Sequence, residues 1–158
     1  MPHTAYSAAK FAVKGFTEAL NIDLRLHAPH VLAHVVMPGH IGTSIALNTT
    51  EMHGGPNIEG VRKILGARGA ETSSMSDKDI ESRVTNSGIR FRDNAPTTAA
   101  EAATIIIEGV RSGQWRILVG QDAEIIDQLV REDPESAYEP EFMRRVIDHG
   151  HLGGLNRS

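Results

Sequence analysis

Tyr6 and Lys10 stand four residues apart in Tyr6-Ser7-Ala8-Ala9-Lys10-Phe11-Ala12-Val13-Lys14-Gly15-Phe16. On a helix, that spacing projects both side chains from one face, within reach of one partner. A cation beside a phenol favours the phenolate and lowers a pKa that starts at about 10. A tyrosine tuned in this way can give or take a proton at neutral pH. The bland alternative is an ordinary surface pair, because short motifs match by accident. Only five residues precede Tyr6, almost nothing from which to build the rest of a site.

The elements that must hold this pair follow from periodicity. Ala5 to about Leu26 reads as a helix, with Ala9, Ala12, Val13, Phe16, Leu20 and Leu24 along one side. Ala28-Pro29 ends it, since proline disfavours a helical residue before it. Val31 to Met37 is apolar almost throughout and reads as a parallel strand buried on both faces. Pro38-Gly39-His40-Ile41-Gly42-Thr43 follows at the carboxyl end of that strand, the edge at which open α/β sheets bind ligands. Ser44 to Ala95 is long, polar and irregular, with weak helical pieces around Ile58-Leu65 and Lys78-Val84. A stretch of this length in a compact domain is a functional lid or lacks fixed structure.

A second helix opens at Thr98-Ala99-Ala100-Glu101, which has capping-box spacing, and closes at Ser112-Gly113. Trp115 to Gly120 is a second strand. Asp122 is expected to cap a further helix from Ala123 to Arg131, stopped by Asp133-Pro134. Glu141 to His149 has the pattern of one more short helix, and His151 to Ser158 reads as loosely held. The order is helix, strand, long loop, helix, strand, helix, the alternation of an α/β parallel sheet. Two strands alone are marginal, so their apolar faces call for more sheet.

Composition narrows the function classes. The 158 residues are 40% hydrophobic and 23% charged, with a net charge of -4 and no block of Lys or Arg, which argues against a nucleic-acid or anionic-membrane partner. The absence of cysteine excludes disulfides, thiolate metal sites and cysteine nucleophiles. No apolar run approaches the roughly 20 residues of a membrane span. Met-Pro-His-Thr lacks the features of a signal peptide, so a cytoplasmic location is the default. The eight histidines raise the question of a metal site. His27, His30 and His34 are divided by a helix end, a proline and a strand, and no metal site is expected from them. His40 either faces the cleft or is a solvent-facing loop histidine.

Two motifs together resemble the C-terminal part of the short-chain dehydrogenase/reductase family. They are Tyr6 to Leu20 and, after the next strand, Pro38-Gly39-x-Ile41-x-Thr43. Arg116 to Gly120 also resembles the family's last strand, and the likeness runs from about residue 5 to 132. It implies the last two strands of a Rossmann-like parallel sheet with their flanking helices, the earlier strands being absent. It implies a partial NAD(P)-binding domain at 1–132, with a substrate lid at about 44–95, and a C-terminal tail at 133–158. Tyr6 would be the general acid or base for a small alcohol or carbonyl substrate. Lys10 would tune Tyr6 and hydrogen-bond the nicotinamide ribose. Pro38 and Gly39 would turn the chain under the nicotinamide, the Ile41 backbone would meet its carboxamide, and the Thr43 hydroxyl would bind the carboxamide or a phosphate. NAD and NADP stay equally open as cofactors.

The family's glycine-rich phosphate turn and its catalytic serine have no counterpart here. The expectation is therefore a truncated chain, inactive alone. The alternative is a non-catalytic fragment that associates with a related full-length subunit. The resemblance also implies a homo-oligomer or association through the first helix. Met52, Ile58, Val61, Ile64, Leu65 and Phe91 fit either a substrate pocket or the packing of a small helical cap.

Overall fold

The computed structural model describes residues 4–148. It is an α/β structure whose chain divides into two units, one comprising the described residues up to His40 and from Ala100 onward, the other Ile41–Ala99.

In the first unit, helix α1 spans Thr4–His27 and strand β1 spans Val35–Pro38. Helix α5 (Ala99–Arg111), strand β4 (Arg116–Val119), helix α6 (Gln121–Glu132), a short 3-10 turn at Ser136–Tyr138 and helix α7 (Phe142–Asp148) complete it. Strands β1 and β4 are parallel, with Val35 opposite Arg116 and Pro38 opposite Val119. The strand expected over Val31 to Met37 therefore starts late. Its first partner is the Trp115 carbonyl, which accepts the Val35 amide at 2.8 Å, and the preceding residues meet no strand. His34 instead places Nδ1 2.6 Å from the Gln114 carbonyl.

The core is built on one face of this pair. Val35, Ile117 and Val119 are buried, and Ile117 lies so close to α5 that a Cβ at Gly109 would meet its side chain at 2.8 Å. Each such buried aliphatic side chain stabilises by about 1.5–3 kcal/mol. Val36, on the other face, remains exposed, so burial of β1 on both faces is not observed. Helix α5 ends as expected at Gly113, whose φ of 72° is open to glycine. The Gly113 amide reaches the Val110 carbonyl and the Gln114 amide reaches that of Gly109, a Schellman closure.

Beyond Asp133 the described residues include the short helix α7, which packs on α6. Phe142 and Val146 of α7 are buried against Leu129 of α6, with Ile125, Ile126 and Ala137 around them. The spacing of Phe142 and Val146 puts both on one face of α7, which is why this short helix can dock. His149 and the segment His151 to Ser158 lie outside the described residues.

The second unit replaces the expected irregular loop with three helices. These are α2 (Ile45–Met52), α3 (Ile58–Ala67) and α4 (Asp77–Asp93). They are flanked by the two-residue strands β2 (Ile41–Gly42) and β3 (Thr97–Thr98), which pair in parallel. Helix α4 is longer than the expected piece at Lys78-Val84 because its start is secured by a capping box. Ser76 Oγ accepts the Asp79 amide, and the Asp79 carboxylate accepts the Ser76 amide. Ile80, fully buried, anchors α4 in this unit. Thr98, read as a helix cap, belongs to β3, and α5 starts one residue later.

Candidate active site

Helix α1 brings Tyr6 and Lys10 together as their spacing requires. The Lys10 Nζ lies 5.4 Å from the centroid of the Tyr6 ring. A cation over a ring at an exposed site is worth about 0.5–1 kcal/mol. Both residues are exposed, Tyr6 at 63%, so the pair is open to a ligand. No residue of α1 is buried, and its apolar residues Phe11, Val13 and Phe16 are all more than half exposed.

The loop after β1 is held through its backbone amides. Pro38 ends the strand, and the Gly39 amide donates to the Val119 carbonyl at 2.9 Å. The His40 amide donates to Asp122 Oδ2 at 2.6 Å, and His40 itself is half-buried. A Cβ on Gly39 would fall inside the Asp122 carboxylate, so any other residue there would have to displace that side chain. Beyond His40 the chain enters the second unit. There the Thr43 amide donates to the Ile41 carbonyl at 2.8 Å. A Cβ on Gly42 would meet the Arg92 carbonyl at 2.7 Å, so close packing on the end of α4 requires glycine. Of the six residues singled out, Tyr6, Lys10, Pro38 and Gly39 thus belong to the first unit, and Ile41 and Thr43 to the second.

Asp122 is the residue that sequence reasoning placed wrongly. It does not cap α6. Gly120, at a φ of 99°, holds the cap position, and Asp122 is 2% exposed and turned to the loop after β1. An acid two residues beyond a strand-ending glycine has the same sequence appearance in either role.

A second polar cluster lies on β4 and α6. Arg116 is paired with Asp127, and Arg131 Nε meets the other Asp127 oxygen at 2.8 Å. Burial works to raise the Asp127 pKa. The hydrogen bonds from Arg131 and Arg116, with their charges, outweigh it and hold this carboxyl below the ordinary range. Among the described residues, no group of three or more His, Cys, Asp or Glu is placed to hold a metal ion. His27 pairs with Asp23 along α1, and no described helix is long and apolar enough to cross a membrane.

Comparison with known proteins adds to this geometry. Residues 2–54, which hold both the tyrosine helix and the loop after β1, match the family model described as short chain dehydrogenase. The chain is 33% identical over 128 residues to the protein named "Putative oxidoreductase SadH" in two strains of Mycobacterium tuberculosis. The alignment covers 81% of this chain and 37% of the relative, so the chain spans well under half the length of these curated relatives. No solved structure matches it.

Proposed function

Because the chain belongs to the short-chain dehydrogenase family, we propose that it carries the proton-transfer and nicotinamide-facing part of an NAD(P)-dependent oxidoreductase acting on a small alcohol or carbonyl. The observation that carries this reading is the exposed pair on α1, with the Lys10 ammonium 5.4 Å from the Tyr6 ring. Tyr6 is the general acid, giving its hydroxyl proton to the carbonyl oxygen during reduction and taking one back during oxidation. Lys10 sets positive charge beside the phenol and hydrogen-bonds the nicotinamide ribose. Pro38 and Gly39 carry the backbone under the nicotinamide, the Ile41 backbone meets its carboxamide, and the Thr43 hydroxyl takes the carboxamide or a phosphate. When bound, NAD or NADP supplies or accepts the hydride.

The residues fit that cofactor. A glycine turn at the carboxyl end of a parallel strand and an accessible cation are groups that orient a dinucleotide. The segment at about 44–95 then serves as the substrate lid. The chain holds no glycine-rich phosphate turn, and catalysis requires the cofactor to be held near the tyrosine. Its turnover alone is therefore expected to be slow.

The test is binding of NADH and NADPH, followed by their own fluorescence, with nicotinamide absorbance read on a panel of secondary alcohols and ketones. Lys10→Ala is expected to weaken binding about tenfold, the effect of losing one charge-assisted hydrogen bond. Tyr6→Phe is expected to keep the affinity and reduce turnover about 100-fold. Unchanged binding in Lys10→Ala, or unchanged turnover in Tyr6→Phe, contradicts the assignment.

The exposed apolar residues of α1 favour a second reading of how the chain works. Phe11, Val13, Phe16, Ile22 and Leu26 suit cover by another protein surface, and a related subunit docking on α1 would supply it. A chain that elutes as a monomer at every concentration, with no gain of activity on mixing with a related full-length enzyme, would remove this reading.

A further inference from the structure

We propose that Asp122 is a positioning residue, whose carboxylate fixes the Gly39 and His40 backbone in the conformation that the nicotinamide is to meet. The inference rests on the coenzyme reading given above and deepens it. An acid in the first turn of a helix is commonly explained by the helix dipole alone. That explanation suits an exposed side chain. Asp122 is 2% exposed and reaches across 82 residues of sequence to accept the His40 amide at 2.6 Å. Its second oxygen has no hydrogen-bond donor among the described residues. A buried carboxylate is costly unless it is hydrogen-bonded, so a position that keeps one is set by the bond it makes.

The same carboxylate fills the space beside Gly39. The Gly39 amide is meanwhile tied to Val119, the last residue of β4, and Asp122 follows three residues later. The strand and the start of α6 thus grip two successive amides of one loop. Asp122 has no need to touch the reacting atoms. It acts by removing freedom from the backbone that does, and lost orientation is what a bound cofactor can least tolerate.

The experiment compares the chain with Asp122→Ala and Asp122→Asn, reading the His40 amide resonance by NMR and NADH or NADPH affinity by fluorescence. In the native chain, the His40 amide proton should lie downfield, as for a short bond to a carboxylate. Asp122→Ala should move it upfield and weaken coenzyme binding about tenfold. Asp122→Asn, which keeps a neutral acceptor, should give an intermediate amide position and restore most of the affinity. If the Ala variant does not fold, the Asn variant decides, and an unmoved His40 amide overturns the proposal. An amide that moves while affinity stays constant in a chain that binds coenzyme also overturns it. A native chain that binds neither dinucleotide refutes the coenzyme reading instead, and the His40 amide still judges the tie between Asp122 and the loop.

Discussion

At the scale of the residue, spacing and burial carry different amounts of information. Tyr6 and Lys10 were legible because a helix with 3.6 residues per turn leaves no choice for a four-residue interval. Asp122 was not, because a capping acid and a loop-holding acid differ only in where the side chain turns. The tie of Asp127 to Arg116 was not either: Arg131 is its i,i+4 neighbour along α6, but Arg116 lies on β4 and meets it only when α6 packs on β4. That pairing has a pH consequence. Asp127 sits below its ordinary pKa in the folded chain, so the native state binds its proton less readily than the unfolded state. The stability it contributes is complete above the unfolded value of about 4 and is lost as pH falls through the lower folded value. Asp127→Asn should therefore lower the melting temperature near pH 7 and flatten its dependence on pH below about 4. Thermal melting of both proteins from pH 7 down to pH 3 checks this, and parallel curves would refute it.

At the scale of the element, helices α1, α5 and α6 and the last strand follow from apolar periodicity, and α4 and the two-residue strands do not. Strands β2 and β3 have two residues each, too few for any alternation to register. Helix α4 is polar over most of its length and buries only Ile80 and Gly88, so its sequence shows only a weak helical piece at Lys78-Val84 until the Ser76 and Asp79 box is recognised. Helix α7 was legible as a helix, but its docking was not. Phe142, 7% exposed, is what attaches it to Leu129 and the end of α6. Phe142→Ala should destabilise the chain by about 3 kcal/mol, the ordinary effect of emptying a buried aromatic site. Urea denaturation measures it. A change below about 0.5 kcal/mol would mean that these residues behave as a surface segment after all.

At the scale of the whole molecule, two parallel pairs of strands carry an α/β structure in two units. The unit of Ile41–Ala99 has its own buried anchor in Ile80, and the other is built around β1, β4, α6 and α7. Helix α1, which bears the proposed acid, buries none of its residues. The functional account depends on a dinucleotide meeting that helix and the loop after β1, at the carboxyl end of the strands. The opposite end offers a competing location, a pocket lined by residues that include Asn21, Leu24, Arg25, Leu32 and Trp115. Amide shift mapping by NMR, with NADH and NADPH added in turn, separates the two directly. The account predicts that resonances of Tyr6, Lys10 and Gly39 to Thr43 move in a saturable way while those around Arg25 and Trp115 stay fixed. Shifts confined to the Arg25 and Trp115 pocket, or no shifts at millimolar coenzyme, would contradict it.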